Sequence, residues 1–165
     1  MIFLVDSSCF ITASRYSYPI DIALSFWNKM AELAQTHAFY SIDKVEDEIK
    51  NNEDDLSAWC SRNLPEDFFI LTETEAVYKK YAELVNWAQN LGIKQRGVNK
   101  FIDGSKADIY FVAFASLSPD KYTVVTEETS AENAKRDIKL PDACKAFGVR
   151  SINFMQMLRE LRVQF

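Results

Sequence analysis

Short apolar runs alternate with segments of helical periodicity along the whole chain, and this alternation limits the folds that the sequence can adopt. Residues 2–5 are all apolar, as expected for a strand that is buried on both faces of a sheet. Further short strands are predicted at 38–41, 68–71, 122–126 and 150–153. Because helices lie between them, the strands are expected to run parallel in one covered sheet. The sequence therefore predicts a three-layer α/β/α fold with a central parallel sheet of about five strands.

The spacing of apolar residues, and residue types that are typical of helix ends, define the predicted helices. The spacing of apolar residues predicts helices over 21–36, 43–50, 53–63 and 106–117. Thr72 and Glu75 match a capping box, which predicts that a long helix starts there and ends near Gly92. Start and stop signals predict two more short helices: Pro141 and Gly148 bound the first, and Asn153 begins the second.

The composition indicates one compact domain and excludes several classes of function. The 165 residues contain no Gly/Pro-rich linker and no repeat, so a single domain is expected to cover 1–165. The apolar start ends at Asp6, which is too early for a signal peptide, and no run approaches transmembrane length. A cytoplasmic protein without membrane contact is expected. The net charge of −5 argues against a general nucleic-acid coat, but not against a nuclease with a local basic patch.

Histidine and cysteine offer little for catalysis. His37 is the only histidine, which excludes a zinc site with several histidine ligands. The three cysteines are odd in number and widely spaced, so buried free thiols in a reducing cytosol are expected; they are Cys9, Cys60 and Cys144. Several large aromatic residues recur at helical spacing and are mostly expected in the core or at a subunit interface: Phe26, Trp27, Trp59 and Trp87.

Acidic residues cluster around one edge of the predicted sheet. Asp6 comes directly after the first strand, and Glu128 follows the fourth. Asp108 lies in the first turn of a helix, and Glu48 lies on the short helix after the second strand. Because parallel strands present their carboxyl ends at one edge, these acids are expected to converge and to repel one another unless a cation binds between them. Oxygen ligands suit Mg²⁺ or Mn²⁺, and a pair of such ions can activate water in phosphodiester cleavage.

The same acids also have structural explanations. Asp108 and Asp142 near helix starts would stabilise the helix dipole without any further role. Glu48 could be an ordinary solvated side chain. Asp6 is the strongest single candidate for a metal ligand, because a charged residue there directly follows a fully apolar strand.

Motifs in four segments resemble those of the PIN-domain family of nucleases, and they occur in the family's order. Residues 2–11, IFLVDSSCFI, resemble the opening strand with its Asp, and residues 41–49, SIDKVEDEI, resemble the segment that supplies the second acid. Residues 107–115, ADIYFVAFA, resemble the central Ala-Asp helix, and residues 122–128, YTVVTEE, resemble the strand that ends in Thr-x-Asp. Residues 139–148, KLPDACKAFG, resemble a stretch of a toxin-like PIN subfamily.

The resemblance implies a PIN-like fold and a metal-dependent ribonuclease. It implies that the catalytic acids, which also bind Mg²⁺ or Mn²⁺, are Asp6, Glu48, Asp108 and Glu128. The sequence departs from the family where Ser8 replaces the usual Asn and where Glu128 replaces Asp, so Asp142 remains an alternative fourth ligand. Ser8 and Thr126 are not expected to bind the metal themselves. Their hydroxyls are expected to orient the carboxylates or the phosphate through hydrogen bonds.

Partners follow from the same resemblance. PIN toxins of the VapC type are ribonucleases that a cognate antitoxin blocks, so the resemblance implies the toxin of a type II toxin–antitoxin pair, an RNA substrate, an antitoxin partner and a homodimer. Two alternatives stay open: an RNA-processing or DNA-directed PIN nuclease, and a catalytically inactive PIN-fold binding protein.

Basic residues flank the acids in sequence and are candidates for substrate binding. One cluster precedes Asp108 and comprises Lys94, Arg96, Lys100 and Lys106; the other follows Glu128 and comprises Lys135, Arg136 and Lys139. Lys106 and Arg136 are the favoured substrate contacts, because both could hold single-stranded RNA close to the acids. Ordinary loop solubility is the competing explanation.

Overall fold

Five parallel strands form the central sheet of the protein, which we describe from a computed structural model covering residues 1–164. The strands are β1 (Ile2–Val5), β2 (Phe39–Ile42), β3 (Phe69–Ile70), β4 (Tyr122–Val125) and β5 (Arg150–Ile152). They are arranged in the order β3-β2-β1-β4-β5, and every neighbouring pair is parallel. The predicted parallel sheet of five strands is confirmed. The strand order reverses between β1 and β4, where such sheets place their ligand crevice.

Helices cover both faces of this sheet and complete a three-layer α/β/α architecture. They are α1 (Ser7–Thr12), α2 (Leu24–Gln35), α3 (Asp43–Lys50), α4 (Asp55–Asn63), α5 (Glu75–Gln89), α6 (Gln95–Phe101), α7 (Asp108–Ala115), α8 (Leu140–Ala146) and α9 (Phe154–Glu160). A π-helical segment, Ala13–Ser17, continues α1. In the part of the chain that the structure describes, none of these helices has the length and apolar character needed to cross a membrane.

The core is centred on β1, β4 and α7. Leu4, Val5, Val124 and Val125 are fully buried, as the apolar runs predicted. Helix α7 is apolar on nearly all sides and is enclosed by the sheet and its neighbouring helices, with only its first residue, Asp108, introducing a charge. Asp108 therefore places a carboxyl group at the N-terminus of a helix that is otherwise apolar and mostly buried.

The aromatic residues and cysteines mostly lie where the sequence predicted. Phe26, Trp27 and Trp59 are buried, and the Trp27 indole donates a 2.7 Å hydrogen bond to the Tyr18 carbonyl oxygen. Trp87 is partly buried against the same core. All three cysteines are buried free thiols, as expected. Burial raises the pKa of the Cys60 thiol to about 12, which makes this side chain a poor nucleophile.

The predicted capping box at Thr72 is wrong. Thr72 is completely buried, and its hydroxyl donates a 2.6 Å hydrogen bond to the Asp43 carboxylate instead of capping a helix. Thr74 is the residue that begins α5, because its hydroxyl accepts the backbone N–H of Val77 at 3.3 Å. Thr74 is followed three residues later by Val77 and so lacks the capping-box spacing that Thr72 has with Glu75, but the tertiary contact with Asp43 holds Thr72 away from the helix start.

Two short helices, α1 and α6, were not predicted from the sequence. Helix α1 begins with two serines, which favour caps over helix interiors, and α6 contains Gly97 in a polar stretch. Both helices depend on packing. Phe10 in α1 and Val98 and Phe101 in α6 are buried in the core, so tertiary contacts stabilise segments whose own propensity is low.

Candidate active site

Asp6 lies at the centre of the candidate site, directly after β1 and before α1. Only 4% of its surface is exposed. One carboxylate oxygen accepts the Ser8 hydroxyl at 2.6 Å and the Thr126 hydroxyl at 3.1 Å. The other oxygen accepts the Ser7 hydroxyl at 3.3 Å. The two strand ends, of β1 and of β4, are therefore joined through this one carboxylate.

Ser7 connects Asp6 to the second acid of the site. Its hydroxyl donates a shorter hydrogen bond, 2.7 Å, to one carboxylate oxygen of Glu48 in α3. The other carboxylate oxygen of Glu48 accepts the backbone N–H of Ala107 at 3.2 Å, immediately before α7. Glu48 is thus bound to two distant segments and is not a freely solvated surface residue. Sequence reasoning missed Ser7 as a residue of the site. A small residue after an Asp does not by itself indicate a role, and its contact with Glu48 exists only because α3 packs beside it.

Glu127 and Glu128 follow β4 but have different surroundings. The Glu127 carboxylate accepts the backbone N–H of Phe154 at 3.0 Å and so holds the start of α9. One Glu128 carboxylate oxygen accepts the backbone N–H of Leu140 at 3.0 Å, at the start of α8. The backbone N–H of Glu128 donates to the Thr126 hydroxyl at 3.1 Å, which fixes this turn against the hydroxyl that contacts Asp6.

Asp108 is the least satisfied carboxylate of the group. Within residues 1–164 its side chain has no hydrogen-bond or ion-pair partner. Burial, together with the smaller effects of the negative charges of Asp6, Glu128 and Glu48, raises the pKa of its carboxyl to about 7, while Lys100 acts in the opposite direction. Burial also raises the pKa of Asp6, with added repulsion from Glu48 and Glu128, against the lowering effect of the Ser8 and Thr126 hydroxyls. The four acids are therefore electrostatically coupled at one edge of the sheet.

Asp142 lies in a different environment. Its carboxylate accepts the Ser130 hydroxyl and the backbone N–H of Ala131, the latter at 2.9 Å, so it fixes the start of the loop before α8. It lines a mostly apolar pocket of about 430 Å³ together with Trp87 and Ile138. The main charges that raise the pKa of Asp6 and Asp108 include that of Glu128 and do not include that of Asp142. The structure therefore groups Glu128, and not Asp142, with the other three acids.

The donor set suits a hard divalent cation, although the side chains do not form a finished coordination shell. Among the described residues, none of the four acids has an ion-pair partner, so no side-chain cation of the protein directly neutralises them. Their donor atoms are all carboxylate oxygens, the ligands that Mg²⁺ and Mn²⁺ prefer. However, within residues 1–164 no three acidic, histidine or cysteine side chains already surround a single point closely enough to hold an ion. Carboxylates would have to close around a cation on binding.

The match to a family model covers this whole site. The model, described as a domain of unknown function (DUF4411), matches residues 3–165. The chain belongs to this family. A comparison with curated proteins found no match. Because the matched range runs from β1 through α9, the acids, their hydroxyl partners and the strand ends all lie inside the DUF4411 domain.

The two residues favoured as substrate contacts lie in different places on the DUF4411 domain. Lys106 is exposed and lies two residues before Asp108. Arg136 is exposed in the loop before α8, where it lines a second pocket together with Lys94, Arg96 and Lys100. The two basic clusters of the sequence, separated by about a quarter of the chain, thus meet in space through Arg136.

Proposed function

We propose that this chain is a metal-dependent endoribonuclease that hydrolyses RNA phosphodiester bonds. One observation supports it above the others: four acids from four separate segments lie around the carboxyl ends of β1 and β4, and within residues 1–164 none of them forms an ion pair. These acids are Asp6, Glu48, Asp108 and Glu128. A fold does not retain such repulsion for stability, since each buried carboxylate costs free energy unless it is paired. A function that needs concentrated negative charge explains the arrangement.

Asp6 and Asp108 would be the central ligands of Mg²⁺ or Mn²⁺, with Glu48 and Glu128 completing the site. When bound, the metal would supply activation of water for attack on phosphorus and stabilisation of the departing oxygen. The chain contributes the orientation of its own ligands. Ser8 and Thr126 fix one oxygen of Asp6, and Ser7 fixes the other relative to Glu48. Without these hydroxyls the buried carboxylate of Asp6 would be free to rotate.

The protonation of Asp108 gives the proposal a second consequence. Because the pKa of its carboxyl lies at about 7, a substantial fraction is protonated near neutral pH in the metal-free protein. Binding of a divalent cation requires the ionised carboxylate, so metal affinity should fall as the pH drops below neutrality, and binding should release protons.

The decisive experiment compares Asp6→Asn with a matched control. Asp120→Asn makes the same chemical change at an exposed position between α7 and β4. We expect purified wild-type protein and Asp120→Asn to cleave a single-stranded RNA with Mg²⁺ or Mn²⁺, and Asp6→Asn to lose cleavage while remaining folded. Undiminished cleavage by Asp6→Asn, or cleavage that persists in excess EDTA, would remove the proposal.

The biological setting of the proposed activity rests on the resemblance to VapC-type PIN toxins. We propose that the enzyme is the toxin of a type II toxin–antitoxin pair, acts in the cytoplasm and is blocked by a cognate antitoxin. Expression should then arrest growth, and the product of a neighbouring gene should relieve the arrest. Cleavage without growth arrest favours an RNA-processing or DNA-directed nuclease. A folded protein that cleaves no nucleic acid with any divalent metal favours an inactive binding protein.

A further inference from the structure

A basic pocket of about 550 Å³ lies between α6 and the loop that precedes α8. It is lined by four cationic side chains and one carboxylate: Lys94, Arg96, Lys100, Arg136 and Asp137. The protein as a whole carries a net charge of −5, so this local excess of positive charge runs against its overall balance. Such an excess identifies an anion site more clearly in an acidic protein than it would in a basic one.

Backbone contacts hold the two walls of this pocket together. The backbone N–H of Lys94 donates a 2.9 Å hydrogen bond to the Lys135 carbonyl oxygen, across the two segments. At Gly97 the walls touch directly: a Cβ atom there would lie 2.0 Å from the Arg136 carbonyl oxygen and 2.9 Å from its carbonyl carbon. Only glycine permits this approach. The convergence of Arg136 with the cations of α6 is therefore built into the backbone and does not depend on side-chain rotamers alone.

The cations of the pocket are not used by the fold. Among the described residues, none of Lys94, Arg96, Lys100 and Arg136 forms an ion pair or a side-chain hydrogen bond. Many other lysines and arginines are paired, as Lys44 is with Glu73 and Arg150 with Glu160. Like charges held together without a partner repel one another, and an anion placed between them would relieve that repulsion. Two of the four are arginines, whose planar fork matches the oxygens of a phosphate group.

The pocket adjoins the acid cluster along the chain: Lys100, on the α6 wall of the pocket, lies eight residues before Asp108, the first residue of α7. We propose that this pocket binds backbone phosphates of single-stranded RNA next to the phosphodiester that the acids cleave. The proposal rests on the proposed nuclease function. It gives the bound RNA a path that crosses the acids, passes Lys100 and enters the pocket.

The first test removes charge and keeps the fold. The triple variant Lys94→Gln, Arg96→Gln, Arg136→Gln changes three exposed side chains, and Lys100 is left in place because its charge also acts on Asp108. The control removes three exposed cations outside the pocket: Arg62→Gln, Lys79→Gln, Arg159→Gln. Both variants have the same net charge. Binding of a 5′-fluorescein-labelled RNA of about 12 nucleotides is measured by anisotropy in EDTA, so that no cleavage occurs.

Salt dependence provides the quantitative readout. Each phosphate neutralised on a single strand contributes about 0.7 to the slope of log affinity against log salt concentration. We expect the triple pocket variant to bind RNA more weakly and to lose about 2 from that slope, whereas the control variant keeps the wild-type slope. A pocket variant with the wild-type Kd and slope, or a control variant that loses as much as the pocket variant, overturns the proposal.

The second test moves the walls apart without removing any charge. Gly97→Ala introduces the clashing Cβ, while Gly104→Ala introduces a Cβ that meets only the side-chain hydroxyls of Tyr81 at 3.4 Å and Tyr110 at 3.9 Å. We expect a higher Kd for RNA with Gly97→Ala and an unchanged Kd with Gly104→Ala, each checked by circular dichroism for retained fold. Wild-type RNA binding by a folded Gly97→Ala protein also counts against the pocket.

The two tests can distinguish a failure of the pocket proposal from a failure of the proposed nuclease function. RNA binding that depends on the pocket but occurs without metal-dependent cleavage supports the phosphate pocket and removes the nuclease. Metal-dependent cleavage with binding that is insensitive to the triple variant retains the nuclease and removes the pocket.

Discussion

The substitution Asp108→Asn is expected to stabilise the metal-free protein above neutral pH. The carboxyl of Asp108 has a pKa of about 7 in the folded chain, against 3.8 for the ordinary side chain, mainly because it is buried. The folded state therefore binds more protons than the unfolded state between these two values. The free energy of unfolding should fall as the pH rises through this window and level off above it.

The magnitude follows from the size of the shift. A pKa that differs by about three units between the folded and unfolded states changes the free energy of unfolding by at most about 4 kcal/mol, since each unit corresponds to about 1.4 kcal/mol. Asp6, whose pKa is also raised, adds a loss in the same direction. We therefore expect wild-type protein to lose several kcal/mol, on the order of 2–4, between about pH 5 and about pH 8 in EDTA. Asp108→Asn should remove most of the Asp108 contribution and leave that of Asp6.

Urea unfolding at several pH values in EDTA measures this directly, provided that the m-value stays constant. Asp120→Asn is the matched control, because it removes an exposed carboxylate and should follow the wild-type curve. A flat wild-type curve, or an Asp108→Asn curve parallel to that of wild type, would refute the raised pKa of Asp108 in the folded protein. With Mg²⁺ present, we expect wild-type protein to regain stability at high pH, and Asp108→Asn to gain less, since it lacks a ligand.

Four further predictions concern activity, helix start, products and assembly. Ser8→Ala and Thr126→Ala should each lower activity about 10–100-fold at limiting metal, since each loses a hydrogen bond to Asp6, and wild-type rates would exclude that role. Thr74→Ala should cost about 1 kcal/mol in urea unfolding through loss of the α5 cap, and an unchanged midpoint would contradict it. Mass spectrometry of end-labelled products should give 5′-phosphate and 3′-hydroxyl ends; a 2′,3′-cyclic phosphate would point to attack by the RNA's own 2′-hydroxyl instead. Light scattering should show a homodimer built from helices of the first half of the chain, where Tyr16, Ile22 and Leu24 are exposed, and a monomer at micromolar protein would count against it.

The sequence alone determined the layer architecture, because strands buried on both faces are mostly apolar. The run at β1 is apolar throughout and β4 ends in Val124 and Val125, and helical spacing between them leaves a covered parallel sheet as the consistent solution. The placement of Asp6 followed from the same logic, since the residue after such a strand stands at the carboxyl edge. Local patterns did not determine where α5 starts: the Thr72–Glu75 spacing predicted the wrong cap, because the buried contact between Thr72 and Asp43 leaves Thr74 as the residue that caps the helix.

The tertiary structure decided which other side chains join Asp6. The sequence favoured Glu128 as the fourth acid and left Asp142 as an alternative; in the structure Glu128 follows β4 and acts on Asp108, while Asp142 fixes the loop before α8. Ser7 became a link to Glu48 only when α3 packed beside α1. Arg136 met α6 only because Gly97 allows two backbones to touch. Each of these contacts joins residues far apart in the chain, and a periodicity or a cap reports only on neighbours within a few residues. Long-range packing therefore fixed the composition of the site, whereas the local pattern had already fixed the edge of the sheet at which it forms.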